Sequence, residues 1–281
     1  MTLSKKVVLI TGAGSGIGAQ TARQLAQQGA YVVLVDRDLA AAQAVMASLP
    51  AGIRSLAIAA DVTDTAQLEA AVQTAVAEFG GIDVVLANAG IAHAGTVAVS
   101  DVETLARTVE VNLTGVIRTV HATLPHVLHR RGYFLLVSSA ACLKNVPGGS
   151  AYAAAKAGVE YFGGALRLEV AHRGVDVGVA HPAWIRTPMF DTQRELDSVR
   201  TGIEALPWPF NVVTDVDDCA TAMIDAMERR SRKVYVPGAL VLVDRLRGLF
   251  TGALWDRLVR PRAAATVSAL ERELRQRKAL R

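Results

Sequence analysis

Seven short apolar runs, separated by longer segments with helical periodicity or by loops leading into them, constrain this chain more than any other feature. They fall at residues 6–11, 31–36, 53–59, 82–87, 133–138, 175–181 and 233–236. Parallel strands cannot be joined by tight hairpins, because the chain must cross back over the sheet, usually as a helix. Strand–helix alternation therefore predicts an α/β fold. The expected form is a doubly wound parallel sheet of about seven strands with helices on both faces. The strands read as unbroken apolar runs, as strands covered on both faces do. With 51% of the residues apolar, a chain of 281 residues has ample material for one large core. A single domain is expected over residues 1–238. Within it, residues 183–213, flanked or interrupted by Pro182, Pro188, Pro207 and Pro209, read as an irregular excursion over the sheet. Residues 239–281 read as a helical tail.

Charge and composition exclude several classes of function. The formal net charge is +4, but the segment from Asp244 to Arg281 alone carries ten Lys/Arg against four Asp/Glu. The body is thus slightly acidic and the tail basic, which gives no basic stripe for nucleic acid. No apolar stretch reaches the ~18 residues of a membrane span. The start runs from Lys5-Lys6 straight into a strand without a small-residue cleavage site, so a cytoplasmic protein is expected. Cys142 and Cys219 are too few and too far apart for a disulfide framework and are expected as free thiols. His121, His126 and His129 lack a carboxylate or cysteine partner at ligand spacing, so no metal is expected.

The first strand leads directly into Gly12-Ala13-Gly14-Ser15-Gly16-Ile17-Gly18 and then into a helical pattern. Glycines there permit a tight turn and close backbone approach to a pyrophosphate, whose charge the helix N-terminus favours. The second strand ends at Asp36, placed to accept hydrogen bonds from adenosine ribose hydroxyls and to repel a 2′-phosphate. The adjacent Arg37 could instead attract that phosphate. No basic residue within the glycine loop reinforces it, so NAD is expected in preference to NADP.

Taken with Asp61-Val62, Asn88-Ala89-Gly90, Asn112, Ser138-Ser139 and Tyr152–Lys156 in order, the Thr11–Gly18 turn resembles that of the short-chain dehydrogenase/reductase family over about residues 5–238. The resemblance implies a Rossmann-type fold and commonly a homodimer or homotetramer. It implies that Asp61 bonds the adenine amino group with Val62 beside the ring, and that Asn88, Ala89 and Gly90 line the cofactor ribose. After the sixth strand, Pro182, Ile185 and Thr187 would border the nicotinamide, with Thr187 on its carboxamide. Ala183 departs from the usual glycine there, and alanine disfavours positive φ.

The chemistry expected is hydride transfer between NAD(H) and a secondary alcohol or ketone. A free tyrosine, with its pKa near 10, is a poor base at neutral pH. Lys156 lies one helical turn after Tyr152, on the same face, so its charge would favour the phenolate. Ser139 would donate to the substrate oxygen as negative charge develops. Ser138 is its neighbour and competitor, and the family spacing to Tyr152 selects Ser139. By resemblance Asn112 would hold a water linking Lys156 to solvent. Singly, each of these residues also has an ordinary reading as a cap, an exposed pair or a tucked polar group.

Ala140, Cys142, Leu143, Val146, Pro147, Trp184, Met189, Phe190, Leu206, Trp208 and Phe210 are expected to border an apolar substrate pocket, with no charge placed to grip a carboxylate. A lipophilic substrate follows. In the tail, Leu242, Leu246, Leu249, Phe250 and Leu258 at helical spacing among arginines describe a basic amphipathic helix. Such a helix packs on the body, meets a second subunit or lies on a membrane surface, and packing in protein is the commoner use. Residues 263–281 are expected as a solvated charged helix. Two other functions share this fold: a non-catalytic NAD sensor, expected to lack Tyr152 or Lys156, and an epimerase or dehydratase of the extended branch, whose glycine spacing differs.

Overall fold

The computed structural model of the chain describes residues 1–145 and 147–279. Its sheet consists of β1 (Val7–Thr11), β2 (Tyr31–Asp36), β3 (Ser55–Ala59), β4 (Val84–Ala87), β5 (Tyr133–Val137), β6 (Asp176–Pro182) and a last strand, Lys233–Val236. All seven are parallel, in the order β3-β2-β1-β4-β5-β6 and then Lys233–Val236. Every strand expected from the apolar runs is present. The order reverses between β1 and β4, which opens a crevice beyond their carboxyl ends.

Alternate residues of each strand feed two separate cores, because successive side chains point to opposite faces. Val8, Ile10, Val32, Leu34, Val84 and Leu86 belong to one core, with α1 (Gly16–Gln27), α2 (Leu39–Ala47) and the helix Val216–Arg229. Val7, Leu9, Val33, Val35, Val85 and Phe134 belong to the other. That face is covered by α3 (Thr65–Phe79), α5 (Gly115–Arg130) and α6 (Ser150–Val170). Between α4 (Val102–Val109) and α5, residues Glu110–Thr114 form a single π-helical turn.

Three expectations are corrected. The 183–213 excursion is substantially ordered. It contains β7 (Trp184–Ile185), α7 (Pro188–Arg194) and α8 (Asp197–Glu204), and it ends in β8 (Val213–Thr214), which pairs parallel with β7. Pro188 marks a helix start: Thr187 caps α7 by accepting from the Phe190 amide, with Pro188 at its first turn. After α9 (Val216–Arg229) and β9 (Lys233–Val236), the tail is three helices: α10 (Leu240–Arg245), α11 (Arg247–Phe250) and α12 (Ala253–Ala279). The leucines assigned to the amphipathic stripe, Leu242, Leu246, Leu249 and Leu258, are exposed, while Leu240 and Val243 are buried in their place. The break near Leu246 rotates the helical phase, so a single continuous wheel picks the wrong face. Nor is the last segment merely solvated. Leu270 is buried, Glu271 Oε1 accepts from Thr96 Oγ1 at 2.7 Å, and Glu273 accepts from the Asp197 and Ser198 amides at 3.1 and 3.2 Å. Among the described residues, no helix is long and apolar enough to cross a membrane.

Candidate active site

The glycine loop runs from the end of β1 into α1, against the segment that follows β4. Gly18 is packed so tightly that a Cβ there would lie 2.2 Å from the Gly12 carbonyl oxygen. Asn88 locks the same junction from its own side, its amide donating to the Thr11 and Gly12 carbonyls at 3.0 and 3.1 Å. Thr11 Oγ1 accepts from the amides of Asn88 and Ala89. The Asn88 side chain is thus a structural brace, and the Ala89–Gly90 backbone forms the wall beside it. Ser15 precedes α1 without capping it, leaving the first-turn amides of Gly16, Ile17 and Gly18 without a side-chain acceptor.

These features fit a dinucleotide phosphate: uncapped helix amides face a cleft where glycines hold the backbone open. Gly16, at φ +53°, lies next to Thr187, whose Cγ2 would be 3.3 Å from a Cβ on that glycine. Thr187 therefore reaches the glycine loop from the far side, and Ile185, two residues before it, is buried. The Ala183 departure is harmless, because the backbone there does not enter the positive-φ region and its N–H joins Val236 O at 2.8 Å. At the end of β2, Asp36 accepts from the amides of Gly14 and Asp38 at 2.8 and 3.0 Å, with Arg37 exposed beside it. Asp61 pairs with Arg107 at 2.9 Å and accepts from Thr63. Burial alone would raise its pKa, but these partners hold it below the usual value. Val62 is buried against Gly115.

Ser139, Tyr152 and Lys156 are brought together at the end of β5 and along α6. Ser138 and Ser139 point to opposite sides. Ser138 Oγ donates to Lys156 O at 2.6 Å, within the packing of α6. Ser139 caps the turn Ala140–Cys142, accepting from Ala141 N at 3.1 Å, and hydrogen-bonds Tyr152. Lys156, 3% exposed, donates to Val137 O at 2.8 Å, and its Nζ sits 5.7 Å from the Tyr152 ring centre. Burial lowers the Lys156 pKa to about 8. Burial also raises Tyr152, more than the Ser139 hydrogen bond lowers it. Desolvation penalises the charged form of each group, which pushes the phenol up and the ammonium down. Asn112 is wholly buried in the π turn, bonding Ile91 and Thr108 by its amide and accepting from Ile91 N at 3.3 Å.

Sequence reasoning missed a charged cluster behind this site. Glu160, one turn beyond Lys156, binds Lys233 at 2.9 Å and Arg247 at 2.7 Å and faces His181 at 3.7 Å. Asp244 accepts from Lys233 at 2.7 Å and from Tyr235, while Arg247 Nη2 bonds Cys142 O at 2.7 Å. Burial alone would raise Glu160, but His181 and Lys233 hold its carboxyl well below the usual range. Cys142, Glu160 and His181 bring potential ligand atoms within 4.8 Å, but the two cations already occupy the carboxylate. The spacing Tyr152, Lys156, Glu160 on one helix face was the available signal.

The substrate side also departs from expectation. Leu143, Phe190 and Phe210 are core, Met189 and Trp208 are exposed, and Val146 lies outside the described residues. A cavity of about 970 Å³ opens instead between the turn after Ser139, the start of α6 and α12. Cys142 and Pro147 line it, and so does Lys144, a charge in that region that the apolar reading overlooked.

A family model for short chain dehydrogenase matches residues 6–198. The cyclohexanol dehydrogenase of Acinetobacter sp. (strain SE19) is 37% identical, over 70% of this chain and 80% of its own. The (-)-trans-carveol dehydrogenase of Rhodococcus erythropolis is 34% identical, over 85% and 96%. Glycine betaine reductase of Emericella nidulans is 34% identical but much longer, and this chain spans only 18% of it. A 3-ketoacyl-(acyl-carrier-protein) reductase from Brucella melitensis, solved with NADH, superposes with a TM-score of 0.74 at 31% identity, over 83% of this chain and 97% of that one.

Proposed function

The chain belongs to the short-chain dehydrogenase family, and from that premise we propose that it interconverts a lipophilic secondary alcohol and its ketone with NAD(H). The observation that carries this reading is the meeting of Ser139, Tyr152 and Lys156 beside the cleft between the ends of β1 and β4. Gly12, Ser15, Gly16, Ile17 and Gly18 would hold the pyrophosphate. Asp36, Asp61, Val62, Asn88, Ala89 and Gly90 would line the adenosine side, and Pro182, Ile185 and Thr187 the nicotinamide side. Bound there, nicotinamide supplies the hydride donor or acceptor.

The protein's own groups then manage the proton and the developing charge. Tyr152 Oη removes the hydroxyl proton during oxidation and returns one during reduction. Ser139 Oγ donates to the substrate oxygen. Lys156, still mostly charged at neutral pH with its pKa about 8, favours the phenolate, and Asn112 fixes the backbone beside it, where a water could pass the proton outward. Because the base must be ionised, oxidation should quicken as pH rises and reduction should slow. NAD preference rests on Asp36, which would repel a 2′-phosphate. Relatives named for cyclohexanol and carveol support an alcohol substrate.

The test follows absorbance of reduced nicotinamide with a panel of cyclic and long-chain secondary alcohols, with NAD and NADP in parallel. NAD-linked turnover that drops by about 10²–10⁴ in Tyr152→Phe supports the reading. Turnover that survives the substitution would sink it. Asp36→Ala should narrow the gap between the cofactors about tenfold, and an unchanged gap would place the discrimination elsewhere.

A further inference from the structure

Lys144 is 7% exposed, yet no carboxylate and no hydrogen-bond acceptor reaches it among the described residues. Among those residues its one partner is the face of Phe210, whose ring centre lies 3.6 Å from Nζ. The stem of this lysine is buried while its ammonium, over an aromatic face, reaches the cavity, where its charge is left open to an anion. Lys144 lines the 970 Å³ cavity, whose walls include Ala141 and Cys142 from the turn that Ser139 caps, and Ala153 next to Tyr152. The tail helix α12 closes the opposite wall and adds Arg257, Arg260 and Asp256. Asp256 is hydrogen-bonded by Asn145, so the cations outnumber the acids facing this space.

We propose that this cavity is a subsite for an anionic group, a carboxylate, carried by the substrate at a distance from its hydroxyl, with Lys144 as the specificity-determining residue. The inference rests on the alcohol–ketone reading above and gives it a substrate class: an apolar body with one acidic end. Apolar walls such as Ala153, Ala157 and Pro147 suit the body, and Lys144 and the tail arginines suit the acid. Burial lowers the Lys144 pKa to about 7, as expected for a cation waiting for its counter-charge, and a bound carboxylate should raise it again.

Two measurements separate this inference from the reaction it rests on. In the first, kcat/KM is compared between cyclohexanol and a hydroxycyclohexanecarboxylate. The acid should be preferred, its advantage should fall at least tenfold in Lys144→Met, and Lys144→Arg should restore it. No preference, or a preference that Lys144→Met leaves intact, overturns the subsite. The second needs no turnover. Cyclohexanecarboxylate is titrated into protein with ¹³C-methylated lysines, and the resonance missing from Lys144→Met is followed. A saturable shift with a raised pKa supports the subsite even if no alcohol is oxidised. An unmoved resonance overturns it, even if cyclohexanol is turned over.

Discussion

At one end of the comparison, the junction of β1 and β4 in the middle of the sheet, the polar groups are satisfied mainly by backbone and by neutral amide or hydroxyl side chains. At the other end, the β6–β9 edge, a cluster of full charges does the same job. Asn88, Thr11 and the Gly12 carbonyl close the first end around a glycine that leaves no room for a methyl group. Glu160, Lys233, Asp244 and Arg247 close the second and tie α10 and α11 to the body. The first arrangement is intolerant of volume and insensitive to acid. The second is sensitive to charge and pH. A dinucleotide phosphate needs fixed amides, which only a rigid backbone supplies, whereas a tail can be docked by long side chains meeting across a surface.

The largest expected effect tests the rigid end. Gly18→Ala places a Cβ against a backbone carbonyl that cannot swing aside, so NADH affinity by fluorescence titration should fall at least ~100-fold, with several kcal/mol lost from stability. Retention of tight binding would show that end to be pliable. Next is Glu160→Gln, which leaves Arg247 and Lys233 facing each other with only Asp244 between them. Because Glu160 is nine-tenths buried, thermal unfolding near pH 7 should reveal a loss of about 2–4 kcal/mol. The sign with pH follows from a carboxyl whose folded pKa is depressed. The stabilisation is present above the usual 4.5 and is lost as pH falls towards the folded value, so the gap between wild type and variant should close below that point. An equal gap at every pH would mean that Glu160 acts by packing rather than by charge.

Smaller effects sharpen the tail half of the comparison. Glu273 caps α8 from a distance of 75 residues, accepting from Ser198 Oγ at 2.7 Å as well as from two amides. Glu273→Ala should cost about 1 kcal/mol and speed amide exchange at Asp197 and Ser198. Unchanged exchange would show that water replaces the cap without loss. Least affected should be Leu249→Ser, at a residue 59% exposed, whose unfolding temperature should reflect no more than ~0.5 kcal/mol. A larger loss would reveal that this surface is covered in solution.

Much of the first end was legible residue by residue. Strand runs, the glycine spacing and Asp36 are local patterns, and each local choice there agrees with the global fold. Spacing selects Ser139 over Ser138, and only the folded chain shows that the two side chains turn to opposite sides. Less was legible where contacts are distant. Nothing in the pattern around Leu242 announces that the helix breaks near Leu246, so periodicity alone points to the wrong face. Lys144 stands out in an apolar stretch, yet a lone lysine in sequence is ordinarily a solvated one, and only the approach of α12 encloses it.

By itself, the sequence determined the parallel sheet, the crevice where its strand order reverses, and the residues that meet there, because hydrophobic periodicity and glycine spacing are properties of consecutive residues. The tertiary structure alone decided the protonation balance of Tyr152 and Lys156, the charge cluster around Glu160 and the enclosure of Lys144. Desolvation and ion pairing depend on which distant segments exclude water from a group, and that is fixed only when the whole chain has packed.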